Sequence, residues 1–172
     1  MKAQYIRAMD ALHQACLFVA GLCLVIITII IPYGVFTRYV LNSASSWPEP
    51  MAILLMIVLS FMSAVVCYRE YLHIGVGILP GMLNGVPKIV LGWVIEICML
   101  GTNVFMLWYG IKLVQATWYQ SIAEFPLVSV GVSYLPVPTG GAITVLFVVE
   151  RLLTQSFFRE PSSEAISAVS SE

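Results

Sequence analysis

The sequence predicts an all-α membrane protein in which four helices cross the bilayer. Hydrophobic residues make up 60% of the 172 residues and charged residues only 10%, whereas soluble domains are close to half apolar and about a quarter charged. Eight basic and nine acidic side chains could not cover the surface of a soluble protein of this length. The net charge of −1 provides no basic field, so no nucleic-acid partner is expected.

The first two spans are uncharged runs long enough to cross a hydrocarbon core, which needs about 20 helical residues for about 30 Å. The first lies between Asp10 and Arg38 and is expected to span about 12–36. This run is too long for the apolar region of a signal peptide and no A-x-A site follows it, so we expect a retained helix. The second span is expected at about 51–68.

The third and fourth spans complete the predicted bundle. The third, at about 89–111, contains Glu96 as its single charge, and the fourth lies at about 134–150. Residues 1–159 are therefore interpreted as one four-helix membrane domain. The tail 160–172 is polar and rich in serine, a composition typical of disorder.

The basic residues predict the orientation, because Lys and Arg accumulate on the cytoplasmic side of membrane proteins. A cytoplasmic N-terminus places six basic residues inside and two outside. The inner set is Lys2, Arg7, Arg69, Lys88, Arg151 and Arg159, and the outer set is Arg38 and Lys112. Both termini are predicted to be cytoplasmic.

Three polar side chains stand out near the spans. Glu96 is the one ionisable group inside a span, where a carboxylate costs a few kcal/mol unless it is paired, hydrated or protonated. It either contacts a partner subunit, a lipid headgroup or an ion path, or reaches water near the cytoplasmic interface.

Arg38 and Glu49 bracket the first outer loop and could pair with each other, with lipid, or across a protein interface. An exposed pair contributes about 0–1 kcal/mol, so stability is a weak reason for them.

Residues that could support catalysis or hold a cofactor are scarce. The sequence contains no HExxH motif or carboxylate cluster, no nucleophile elbow and no CxxC pair. His13 and His73 are the only histidines, and a haem between them is geometrically possible. We expect no enzyme activity, no metal and no cofactor, and keep a haem- or quinone-linked redox subunit as the alternative.

Residues 36–56, FTRYVLNSASSWPEPMAILLM, resemble the small membrane subunit (DctQ type, or Q subunit) of TRAP (tripartite ATP-independent periplasmic) transporters. In that family an Arg-Tyr pair closes the first helix, and a loop with Trp and Glu opens the second. Here these residues are Arg38, Tyr39, Trp47 and Glu49.

Two further segments, REYLHIGVGILP at 69–80 and SYLPVPTGG at 133–141, are similar to the family in the same order. With them the resemblance covers nearly the whole chain. Gly75 and Gly77 stand where the family often has an acidic residue, and Pro50 where a second acidic or small residue is common. These departures put specific polar contacts there in doubt, not the family.

The resemblance implies a non-catalytic subunit in the bacterial inner membrane that scaffolds a large multi-span subunit carrying the substrate and sodium sites. A periplasmic binding protein would deliver an organic acid, such as a C4-dicarboxylate, a keto acid or a sialic acid. The outer loops with Trp47, Glu49 and Glu124 become candidates for its docking face, and phospholipids are expected neighbours.

A secondary transporter normally builds a midplane site from broken helices and repeated halves. This sequence offers neither an obvious repeat nor a polar cluster at the midplane. Four spans with so few polar residues favour a subunit that packs against a larger protein. A small self-contained efflux carrier acting as a homo-oligomer is a third hypothesis.

Overall fold

Helices make up most of the computed structural model, which describes residues 2–43, 45–70, 86–123, 125 and 128–154, with the side chains of 2 and 3 excepted. Within these ranges an isolated bridge between Ser121 and Ser129 is the only β-type pairing. The helices are α1 (Lys2–Tyr39), α2 (Pro48–Arg69), α3 (Val86–Thr117), α4 (Val130–Tyr134) and α5 (Pro136–Thr154).

Among the residues that the structure describes, four helical segments are long and apolar enough to cross a membrane, which confirms the predicted fold class. They are Gln4–Tyr39, Pro48–Arg69, Val86–Thr117 and Val130–Thr154. Each contains a predicted span and extends beyond it. At 1.5 Å per residue, α1 is about 57 Å long and α3 about 48 Å, so both exceed a hydrocarbon core of about 30 Å.

Proline and a serine cap determine where helices begin on one side of the bundle. Pro48 opens α2, where a missing backbone donor has no cost. The Ser129 hydroxyl accepts a hydrogen bond of 3.0 Å from the Gly131 backbone and caps α4. Leu135 separates α4 from α5 but keeps helical dihedral angles (φ −54°, ψ −36°), and Pro136 begins α5.

The helices pack in the order α1, α2, α5, α3, so that α2 and α5 are central and α1 and α3 flank them. The start of α1, the end of α2, the start of α3 and the end of α5 meet on one side, which we call the terminal face; the opposite side is the loop face. The buried core joins α1, α2 and α5. Its residues are Met9, Cys16, Ala20, Met62, Val65, Val66, Tyr68, Phe147 and Val148.

Glycine allows α3 and α5 to approach each other closely. A Cβ at Gly110 would lie 3.0 Å from the Pro138 side chain, and one at Gly141 would lie 3.1 Å from the Asn103 backbone oxygen and 3.2 Å from the Leu107 nitrogen. Small residues at such contacts are typical of helices packed in membranes. This contact fixes α5 against α3 along the fourth span.

The outward faces of α1 and α3 are apolar and exposed. Examples are Phe18 and Ile29 on α1, and Phe105 and Trp108 on α3. A soluble protein rarely exposes such continuous apolar surface, whereas in a membrane it faces lipid or a protein partner.

Candidate functional site

A buried polar cluster joins α2, α3 and α5 near the terminal face. Glu96 is only 1% exposed. Nη1 of Arg151 donates to its Oε1 at 3.1 Å, and the Tyr68 hydroxyl donates to its Oε2. Nη2 of Arg151 also donates to the backbone carbonyl of Tyr68, and its Cζ lies 4.1 Å from the centroid of the Tyr68 ring. The carboxylate and the guanidinium thus neutralise each other inside the protein.

This geometry answers part of the question that the sequence raised about Glu96. The side chain is buried and paired, so it does not reach water at the cytoplasmic interface as one hypothesis held. A buried charge is tolerated when an opposite charge and hydrogen bonds compensate for lost hydration, and Arg151 and Tyr68 supply both. The carboxylate therefore holds α3 against α2 and α5.

A second charged cluster joins α1, α2 and α5. Nε and Nη2 of Arg69 donate to the two carboxylate oxygens of Glu150 at 3.1 and 3.0 Å. Nη2 also lies 2.6 Å from Oδ1 of Asp10, and Cζ lies 5.1 Å from the centroid of the Phe147 ring. A two-pronged contact between arginine and a carboxylate is among the stronger and more directional ion pairs.

The two clusters use consecutive residues on both central helices. Successive residues of an α-helix point about 100° apart, so Tyr68 and Arg151 reach Glu96 of α3. Arg69 instead reaches Asp10 of α1 and is also held by Glu150 of α5. All four long helices are thereby connected at the terminal face.

The loop face carries a different kind of charged pair. Arg38 in the last turn of α1 and Glu49 in the first turn of α2 place Nη2 and Oε2 3.8 Å apart. Their side chains are 56% and 78% exposed. Each charge also has the favourable sign for its helix end. The Trp47 ring lies next to them against Tyr33, with 5.8 Å between ring centroids.

The predicted site residues are therefore divided between two faces. The structure brings Arg38, Trp47 and Glu49 together on the loop face and places Glu96 in the cluster near the terminal face, while Glu124 lies outside the described residues. The sequence interpretation missed Arg151 as the partner of Glu96.

The histidines that motivated the haem alternative are only partly described. Nε2 of His13 lies 3.2 Å from Oε1 of Glu70, at the end of α2, without hydrogen-bond geometry. His73 lies outside the described residues.

Four apolar spans joined by internal ion pairs define a small multi-pass membrane protein. Residues 27–157 match the family model of the tripartite ATP-independent periplasmic transporters, DctQ component. Because the match covers more than half of the chain, the protein belongs to this family and is a small membrane subunit of a TRAP transporter. No curated protein matches the chain.

Membership confirms the resemblance found in residues 36–56 and supports a multi-pass protein of the bacterial inner membrane. It also implies association with a large TRAP membrane subunit and a periplasmic binding protein. The matched region contains both members of the Arg38–Glu49 pair and of the Glu96–Arg151 pair.

Proposed function

We propose that this chain is the non-catalytic scaffold of its transporter. It enlarges the static part of the membrane complex, while the large subunit carries an organic acid together with sodium. The observation that best supports this proposal is the family match over 27–157. The structure adds that the ion pairs of Glu96 and Arg69 hold helices together.

The shape of the bundle is consistent with a scaffold. α1 and α3 flank the central pair and expose apolar surface along their length. Such a surface is well suited to pack against the spans of a larger subunit, where van der Waals contact and small residues drive association.

We infer that the terminal face is cytoplasmic and the loop face periplasmic. Lys and Arg favour the cytoplasmic side, and the terminal face has more of them among the described residues. The terminal face has Arg7, Arg69, Lys88 and Arg151, with Lys2 in the first turn of α1, and the loop face has Arg38 and Lys112.

On this orientation, the loops that carry Trp47, Glu49 and Glu124 form a docking face for the binding protein. The exposure of the Glu49 carboxylate supports the proposal, since 78% of its side chain is available to a partner. Arg38 and Glu49 would also contribute to assembly with the large subunit. Replacing either with alanine should then reduce assembly or uptake without unfolding the chain.

Reconstitution tests the proposal directly. Proteoliposomes containing this chain, the large subunit and the binding protein should accumulate an organic acid only under an inward sodium gradient. Liposomes with this chain alone should accumulate none. Candidate substrates are a C4-dicarboxylate, a keto acid and a sialic acid, each supplied with the binding protein that captures it.

Two results would contradict the scaffold. Uptake by the chain alone would show that it is a self-contained carrier. A haem absorption band in the purified chain would favour the membrane redox subunit instead.

A further inference from the structure

A groove runs down the loop-face half of the α1–α2 contact. Its volume is about 350 Å³, and Arg38 and Glu49 stand at its mouth. Gly34 and Ala52 line it where the two helices approach each other. A Cβ on Gly34 would lie 3.1 Å from the Pro48 side chain, so the helices are already in close contact at the base of the groove.

The lining changes from charged to apolar along the membrane normal. Ile31 lies seven residues before Arg38, and Met56 seven residues after Glu49. At 1.5 Å per residue, both apolar residues lie about 10 Å deeper in the membrane than the charged pair. Val35 occupies an intermediate level on α1. The groove thus has a polar mouth above an apolar channel, which is the polarity of a phospholipid.

Aromatic residues place the mouth at the level of lipid headgroups. Tyr33 and Trp47 pack together beside the groove, and Tyr39 lines it and is 75% exposed. Trp and Tyr are enriched at this level in membrane proteins, where an apolar ring and a polar tip are both accommodated.

The contact between the two charges at the mouth contributes little to the stability of the bundle. An ion pair this exposed contributes about 0–1 kcal/mol, and 3.8 Å between Nη2 and Oε2 is at the outer limit of direct contact. Both side chains remain free to bind a second group of opposite charge. Arg38 offers donors for a phosphate, and Glu49 offers an acceptor for an ammonium group.

We propose that this groove binds one zwitterionic phospholipid whose headgroup carries a primary ammonium, as in phosphatidylethanolamine. The guanidinium of Arg38 binds the phosphate, the carboxylate of Glu49 binds the ammonium, and one acyl chain lies in the apolar channel. An anionic headgroup without an ammonium could still place its phosphate on Arg38, but it would leave the Glu49 carboxylate without a cationic partner. The charge pattern therefore selects a zwitterion over an anionic lipid.

Lateral access favours a lipid over a protein side chain as the occupant. Ile53 and Met56 at the groove's edge are 53% and 51% exposed, so the channel opens sideways to the bilayer along its length. A flexible acyl chain can enter from that side and follow the channel. This inference does not depend on the proposed scaffold role, because it concerns the chain by itself.

Native mass spectrometry of the full chain, purified without the large subunit, tests the proposal. The protein is equilibrated in micelles with equal amounts of phosphatidylethanolamine, phosphatidylcholine and phosphatidylglycerol. We expect one retained phosphatidylethanolamine in preference to the other two, because phosphatidylglycerol has no ammonium and the quaternary ammonium of phosphatidylcholine has no N–H to donate to the Glu49 carboxylate. Arg38→Gln should lower retention of all three lipids, by about tenfold, or about 1.4 kcal/mol, for phosphatidylethanolamine.

Two further variants separate the headgroup from the acyl chain. Glu49→Gln should remove the preference for phosphatidylethanolamine over phosphatidylglycerol while keeping some lipid bound. Ile53→Trp should fill the channel and expel the lipid. Lys112→Gln is the matched control, since Lys112 is a loop-face cation that lies over the rings of Trp108 and Tyr109, outside the groove.

Circular dichroism and size-exclusion chromatography verify that each variant is folded. If a variant failed to fold, the preference of the wild-type protein for phosphatidylethanolamine would by itself test the proposal. No retained lipid, or equal retention of phosphatidylethanolamine and phosphatidylglycerol by the wild type, would overturn the proposal. So would an Ile53→Trp protein that binds lipid like the wild type. If no lipid is retained, a protein partner becomes the candidate occupant of the groove.

Discussion

Replacing Arg151 with methionine should destabilise the bundle by about 3–5 kcal/mol, the cost of removing one member of a buried ion pair. Methionine keeps much of the side-chain volume but leaves the Glu96 carboxylate with the Tyr68 hydroxyl as its one described partner. The loss includes the contact between the guanidinium and the Tyr68 ring, about 0.5–2 kcal/mol. The free energy of unfolding can be measured by titrating SDS into mixed micelles and following tryptophan fluorescence.

A double-mutant cycle separates the lost attraction from the cost of the remaining charge. Combining Arg151→Met with Glu96→Gln removes both charges, so no uncompensated carboxylate stays buried, which is the main cost of removing one member of a buried pair. We therefore expect the double variant to be more stable than Arg151→Met alone. The coupling energy should be about 2–3 kcal/mol, near the upper end for residues in contact.

Arg7 provides the control for this cycle. It is an exposed arginine on α1 near the same face, so Arg7→Met should change stability by no more than about 0.5 kcal/mol. The reasoning is wrong if Arg151→Met costs no more than Arg7→Met. It is equally wrong if the double variant loses the sum of the two single losses.

Three further substitutions can be measured in the same unfolding assay. Gly141→Leu should lower the free energy of unfolding by about 1–3 kcal/mol, because its Cβ would lie 3.1 Å from the Asn103 backbone oxygen. Gly101→Leu is the control, since nothing lies within 4 Å of a Cβ there. Tyr68→Phe keeps the ring beside the guanidinium but removes the hydroxyl donor to the buried carboxylate, so a loss of about 1.5–3 kcal/mol is expected. Arg69→Lys keeps the charge but not the planar fork that contacts two carboxylates, so it should destabilise by about 1–2 kcal/mol; unchanged stability would show that charge alone suffices.

The sequence predicted the four spans because charges are rare and bracket the apolar runs. The helices extend beyond the predicted spans, since a charge marks where the hydrocarbon ends rather than where a helix ends. The third span was expected to stop near 111, yet α3 continues through Lys112 to Thr117. A helix does not end where it leaves the hydrocarbon, because its backbone hydrogen bonds can continue into the aqueous region.

The charged pairs were harder to predict. Arg38 and Glu49 are separated by one short loop, so their pairing was among the alternatives considered. Glu96 and Arg151 are 55 residues apart, and pairing them requires knowing which helices are neighbours. A usable signal existed: a carboxylate inside a span needs a cation at its own depth, and Arg151 ends the apolar run of the fourth span on the same side.

The two faces put their charges to different use. At the terminal face, the Arg69 side chain is only 18% exposed. Its guanidinium contacts two carboxylates and an aromatic ring of the same bundle, so it stabilises the bundle rather than binding a partner. At the loop face, Arg38 is 56% exposed, and its one ion pair among the described residues is the 3.8 Å contact with Glu49. Substitutions in the first group should therefore alter the free energy of unfolding, whereas those in the second should alter lipid retention or assembly at unchanged stability. A variant of Arg38 that unfolded the bundle as readily as one of Arg69 would remove the basis for regarding the loop face as a binding surface.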